Sequence, residues 1–185
     1  MISASSIQKR FNRKGEYVAL VLVKPANYQQ VSIELVKYLT KDRRMPGVYI
    51  SVNKPFSILH DRFRNAGIKD ELIIFIDAVT NQEDATKKES EHCFYLDSPE
   101  NLSDISIAIS QAVEAIEHKE KFIFLDSLST LLVYNDAETI VKFIHFLISK
   151  MRVWKVNGII LSLKKRGEAS LIAELGQFCD MTIEF

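Results

Sequence analysis

Short apolar runs alternate with longer amphipathic stretches along all 185 residues, and few folds satisfy that alternation. The short runs are 17–23 (YVALVLV), 48–52 (VYISV), 72–76 (LIIFI), 93–96 (CFYL), 122–125 (FIFL), 158–163 (GIILSL) and 181–183 (MTI). The longest of them are continuously apolar rather than alternating, which is the signature of strands buried on both faces. The stretches between them, 28–39, 56–66, 101–118, 137–153 and 169–178, space their apolar residues as helices do. In 137–153, for example, Ile140, Phe143, Ile144, Leu147 and Met151 share one stripe. Strands separated by helices pair in parallel, through right-handed crossovers. The expected fold class is therefore α/β, a three-layer α/β/α sandwich with a mostly parallel central sheet. Ile7 and Phe11 predict a short amphipathic N-terminal helix packed on the same domain. No linker divides the chain, so 1–185 reads as one domain. The polar stretch 80–92 (TNQEDATKKESEH) reads as an exposed, mobile loop.

Composition excludes several function classes. Lys+Arg and Asp+Glu are both 24, so the formal net charge is +0, and bulk charge provides no footprint for nucleic acid or an anionic membrane. No apolar run approaches the ~18 residues of a membrane span, and the first residues lack the apolar core of a leader. Cys93 and Cys179 are far apart and form no CxxC pair. They read as small buried hydrophobes in a reducing, cytoplasmic setting. His60, His92, His118 and His145 show no ligand spacing, so no metal site is expected. Basic clusters stand at Lys9-Arg10 with Arg13-Lys14, at Lys41 with Arg43-Arg44, and at Lys164-Lys165-Arg166. The last stands at the carboxyl end of a strand; it reads as a solvated loop, with contact to a phosphate or an acidic partner as the alternative.

Open parallel sheets place their ligands beyond the carboxyl ends of the strands. That directs attention to the junctions 24–31, 51–55, 126–130 and 162–167. A phosphate cradle at the first junction would need glycines, a lysine for the β- and γ-phosphates and a hydroxyl for Mg²⁺. The chain has Lys24-Pro25-Ala26-Asn27-Tyr28-Gln29-Gln30-Val31 there. It has no glycine, Gln30 stands at the lysine position, and Val31 stands at the hydroxyl position unless Ser32 slips into register. Pro25 removes a backbone donor. The plain reading is a strand–helix turn in which Asn27 caps the following helix.

Four segments carry a family resemblance: FIFLDSLSTLLVY (122–134), VYISVNKPFSILHDRFRNAGI (48–68), LDSPENLSDISIAIS (96–110) and LIAELGQFCDMTIEF (171–185). In order and spacing the chain resembles the KaiC-like branch of the RecA superfamily, P-loop ATPase-type domains common in archaea. The resemblance implies a RecA-type core whose sheet order is the last strand, the 17–23 strand, the 158–163 strand, the 122–125 strand, then the 48–52 strand. It places Asp126 where the family's Walker-B aspartate holds the metal, with Ser127 after it. Where active members carry water-activating acids after the second strand, this chain has Asn53-Lys54, which cannot serve as a general base near neutral pH. Lys24, Asn27, Gln30, Val31, Asp126 and Ser127 are then the degenerate nucleotide-site positions.

Two catalytic parts lost together imply a non-catalytic pseudo-ATPase with no cofactor. Such a module would act in regulation or signalling through a protein partner or self-association, as a dimer or higher. The alternative is an ATP-binding or ATP-hydrolysing protein in which Lys24 and the Lys164–Arg166 cluster supply charge and Asp126 holds Mg²⁺. Single-stranded nucleic acid binding is disfavoured, because no strand combines aromatic and basic residues. Asp126 also has a plain reading, as a turn cap accepting N–H groups near Ser129. The residues leave open whether the crevice beside Asp126 is empty or filled by a side chain such as Tyr28.

Overall fold

The computed structural model describes residues 4–12, 15–80, 90–164 and 168–185. Arg13, Lys14, Lys165, Arg166 and most of the expected 80–92 loop lie outside the described residues. Seven strands form one sheet: β1 (Val18–Val23), β2 (Gly47–Ser51), β3 (Ile73–Asp77), β4 (Cys93–Tyr95), β5 (Phe122–Asp126), β6 (Asn157–Leu163) and β7 (Met181–Glu184). Their spatial order is β4-β3-β2-β5-β6-β1-β7. Every described pairing is parallel, so the sheet is wholly rather than mostly parallel. The order β7-β1-β6-β5-β2 is the one the resemblance implied.

Helices cover both faces, which makes the α/β/α sandwich. One core layer holds the sheet face under α1 (Ala4–Phe11), α2 (Tyr28–Lys37) and α3 (Phe56–Asn65). The other holds the face under α4 (Leu102–Ala115), α5 (Leu128–Tyr134), α6 (Ala137–Trp154) and α7 (Ala169–Phe178). In β5 the alternation is strict: Phe122 and Phe124 enter the first layer, Ile123 and Leu125 the second. Burial of this kind is worth about 25 cal/mol per Å² of apolar surface, which makes the continuous apolar strands the main source of stability. Ile7 and Phe11 of α1 are fully buried against the same sheet, as their spacing predicted.

Three local details depart from the expectations drawn from the sequence. Helix α2 passes into a π-helical turn, Tyr38–Asp42, where a regular helix to 39 was expected. Helix α5 has no counterpart in the sequence reading; it is short, begins with buried Leu128 and Ser129, and packs across β6. Cys93 and Cys179 are partly exposed, not buried hydrophobes.

Gly47 shows how tightly β2 and β5 are joined. A Cβ there would lie 2.4 Å from the Phe122 ring and 2.5 Å from the Phe122 carbonyl oxygen. The ring could turn, but the backbone cannot withdraw without breaking the ladder. Gly47→Ala is expected to cost about 1–3 kcal/mol in urea denaturation at unchanged m-value, the range for overpacked cores; a loss below ~0.5 kcal/mol would contradict this packing.

Candidate functional site

Parallel register brings three polar side chains into one row at the carboxyl ends of β3, β2 and β5. Ser51 pairs with Asp77 on one side and with Asp126 on the other. All three are buried, and by strand alternation all three face the α2–α3 layer. The neighbouring Asp77 has a structural task. It accepts from the Phe56 N–H at 2.7 Å, the Val79 N–H at 2.8 Å, the Thr80 N–H at 3.0 Å and the Thr80 hydroxyl at 2.7 Å. Helix α3 starts after Pro55, which cannot cap it, so a carboxylate from the adjacent strand does so instead.

Asp126 is only 1 % exposed, and its partners are side chains. The Tyr28 hydroxyl donates to Oδ1 and the Tyr49 hydroxyl donates to Oδ2. The Asn53 amide donates to Tyr28 Oη and, at 3.4 Å, to Asp126 Oδ1. Tyr49 is held rigidly: its ring stacks on Phe124 at 4.9 Å and meets the edge of Phe63 at 5.2 Å. Its hydroxyl also lies 3.2 Å from Ser32 Oγ. Tyr28, the first residue of α2, lies under the Lys54 ammonium, which sits 5.2 Å from the ring centroid. Burial and the nearby Arg62 charge hold the Lys54 pKa below its ordinary value. The cavity bordered by Tyr28, Ser32, Lys54, Arg62 and Asp126 has a volume of about 10 Å³. That is the lower limit for one water molecule.

The side chains singled out from sequence do not converge. Lys24 and Gln30 are exposed, and Val31 is buried in the α1–α3 core layer. Asn27 makes no side-chain cap, so its expected role is corrected: the turn Pro25–Asn27 closes on backbone bonds, Asn27 N–H to Lys24 O and Tyr28 N–H to Pro25 O. The Lys24 N–H is bonded to Phe185 O at 3.1 Å. Ser127 is fully buried and its hydroxyl meets those of Ser129 and Thr130 at 3.1 and 3.0 Å. Ser129 in turn accepts from the Leu163 N–H. Asp126 is not a turn cap for N–H groups near Ser129; its oxygens turn to the tyrosines on the other face. Of the six positions only Asp126 reaches the crevice, and Tyr28, Tyr49 and Asn53 join it there. Tyr49 carried no polar signal in sequence, because its position reads as core.

Among the described residues no group of three or more His, Cys, Asp or Glu could hold a metal ion, and no helix is long and apolar enough to cross a membrane. A comparison with family models matches residues 21–185 to a family described as a family of unknown function, DUF7504. No curated protein matches the chain. Several solved structures do. An uncharacterized protein from the archaeon Pyrococcus horikoshii, determined in complex with an unknown peptide, shares 12% identity at a TM-score of 0.70, over 100% of this chain and 84% of that one. A second P. horikoshii protein shares 13% identity at a TM-score of 0.62, over 99% of this chain and 87% of that one. A KaiC-like protein of the same organism shares 13% identity at a TM-score of 0.57, over 81% of this chain. The aligned region spans 62% of the KaiC-like protein's length. At such identities the likeness is one of fold, and the fold is KaiC/RecA-like.

Desolvation pushes the Asp126 carboxyl up from 3.8 to about 8. The hydroxyl and amide donors favour the ionised form and oppose this, but burial outweighs them. Between the unfolded value near 4 and the folded value near 8, unfolding releases this proton, so stability falls as pH rises through that window. Asn cannot titrate. In denaturation curves at about pH 5 and about pH 8, wild type is expected to lose stability relative to Asp126→Asn on going to the higher pH. The slope has an upper limit of about 1.4 kcal/mol per pH unit for one proton. Parallel pH profiles for the two proteins would show the carboxyl to be ionised throughout.

Proposed function

The chain belongs to DUF7504, a family of unknown function, and we propose that it is a non-catalytic protein of the KaiC/RecA-like fold, a pseudo-ATPase that works in the cytoplasm by holding a protein partner in a regulatory or signalling role. The observation that carries this reading is the Tyr28 hydroxyl on Asp126, which fills the crevice where a nucleotide's metal would stand. Phosphoryl transfer is catalysed by positioning and charge neutralisation. The turn after β1 supports neither, since it has no glycine, and the Lys24, Asn27 and Tyr28 N–H groups bond to the chain itself. After β2 stand Asn53, whose amide is no base, and Lys54, whose pKa is lowered but whose ammonium is engaged on the Tyr28 ring, in place of a water-activating acid. Burial raises the Asp126 pKa and so disfavours the ionised form that a metal ligand needs.

The partner side of the reading draws support from elsewhere. Net charge is zero, which disfavours nucleic acid. The similar P. horikoshii protein solved with an unknown peptide gives precedent for a peptide held on this fold. Loss of the nucleotide would leave the scaffold with contact surfaces as its means of action.

Mg-ATP at ~1 mM is expected to leave the melting temperature unchanged. A site with a Kd of ~100 μM would add about 1.4 kcal/mol through RT ln(1 + [L]/Kd), a shift of about 3–6 °C for a chain of this size. ATP turnover is expected to stay at background in both wild type and Asp126→Ala. A clear thermal shift, or hydrolysis that Asp126→Ala abolishes, would overturn the pseudo-ATPase reading in favour of a nucleotide enzyme with a non-standard loop.

A further inference from the structure

Strand β7 is an edge of the sheet, and its backbone geometry shows which groups it leaves open. The Phe185 N–H donates to Leu22 O at 2.9 Å, and Phe185 O accepts from the Lys24 N–H. Pairing runs from Ala19–Met181 to Leu22–Glu184. With a period of two, the backbones of Met181, Ile183 and Phe185 face β1, while those of Thr182 and Glu184 face away from it. The Glu184 carbonyl is bonded to Arg10 Nη1 at 2.6 Å. Among the described residues nothing pairs with the backbone N–H or C=O of Thr182, or with the Glu184 N–H. Unpaired edge groups of this kind are a template for another extended chain.

The same edge borders a cleft of about 490 Å³, lined by Leu22, Ala169, Ile172 and Ala173 together with the polar Glu168 and Gln177. Thr182 and Glu184 project toward α7, since their partners Leu20 and Leu22 lie in the α4–α7 core layer whereas Ile183 lies in the other. Helix α7 approaches closely at Gly176, where a Cβ would stand 3.2 Å from Thr182 Oγ1. A strand added about 4.8 Å beyond β7 would point alternate side chains to the α7 side of the sheet, toward this cleft. At its mouth the Lys164 ammonium is bonded to Glu184 at 2.6 Å. That ion pair and Glu168 hold the charged part of the lining, and Leu22, Ala169, Ile172 and Ala173 form the uncharged part, which fits aliphatic side chains.

We propose that β7 and the α7 cleft form the docking edge of this protein, where an extended segment of a protein partner adds as an eighth strand and seats aliphatic side chains against Leu22 and Ile172. The mode is strand addition, in which backbone bonds supply affinity and alternate pockets supply choice. The inference deepens the partner-holding reading and rests on it.

The test titrates the full ¹⁵N-labelled chain with short synthetic peptides that alternate threonine with leucine, valine or isoleucine. The control peptide carries backbone N-methyl groups on alternate residues. Shifts are expected on β7 and α7 only, with exchange of the Thr182 and Glu184 amides slowed at least about tenfold. The methylated peptide is expected not to bind. Thr182→Pro removes an outward N–H and leaves the ladder to β1 intact, and Ala173→Trp fills the cleft from an exposed position; each is expected to abolish binding. Should one variant fail to fold, the other carries the test. Equal binding by the methylated peptide or by a folded variant would overturn the proposal, as would no response on β7. Shifts confined to another surface would overturn the docking edge and leave the partner reading standing. Mg-ATP shifts around Tyr28 would sink the pseudo-ATPase reading alone. Protection of Thr182 that rises with protein concentration, without peptide, would make the occupant a second copy and overturn the heterologous partner.

Discussion

A carboxyl group in the dry middle of a parallel sheet ties this molecule together at its carboxyl edge. β5 lies between β2 and β6, so Asp126 has a strand on either side and helices over its face. Water cannot solvate it there, and an isolated buried carboxyl costs several kcal/mol. Its partners come from α2, from β2 and from the turn after β2, through Tyr28, Tyr49 and Asn53. One group thereby fixes the start of a helix, the orientation of a strand side chain and the course of a loop. Removing any donor leaves the others around a less satisfied acid, so these residues act as a unit and not as separate contacts.

That arrangement divides the ligand-bearing end of the sheet. On the face under α2 and α3, the polar groups are consumed by the chain itself: Asp77 holds the start of α3 and the 79–80 turn, and Asp126 holds two tyrosines. On the opposite face, toward the β1–β7 edge, α7 leaves an open cleft in which apolar Leu22, Ala169, Ile172 and Ala173 stand beside charged Lys164, Glu168 and Glu184. Packing closes one side and leaves the other available.

Much of the fold was legible because burial on both faces writes itself into a strand as an unbroken apolar run. YVALVLV and FIFL admit little else, and the helices between them follow from period alone. The candidate site was half legible. The absence of glycine after β1 and the Asn53-Lys54 pair stand in the sequence, and Tyr28 was a visible candidate to fill the crevice. Its bond to Asp126 spans 98 residues and depends on strand order, which periodicity does not encode. Tyr49 was hidden for another reason: a tyrosine inside VYISV satisfies a strand pattern whether or not its hydroxyl has a task. Helix α5 escaped notice because LSTLLVY is about two turns long and as rich in β-branched and aromatic residues as a strand. Its helicity comes from packing over β6 rather than from propensity.

The turn Pro25–Asn27 explains why a side chain, and not a backbone, meets the acid. A phosphate-wrapping loop must aim successive N–H groups inward, which glycine permits by relaxing φ. Here Pro25 has no N–H, and its fixed φ favours a tight helical turn. The next donors are spent at once, Asn27 on Lys24 O and Tyr28 on Pro25 O, while Lys24 itself is pinned to Phe185. A turn this short starts α2 early and places its first side chain, Tyr28, directly over the end of β5. The phenol then supplies the hydrogen bond the buried carboxyl needs, and its ring supplies the bulk that closes the space. To admit an anion there, the chain would have to break both the turn's backbone bonds and the tyrosine–aspartate contact, with no glycine to ease the new path.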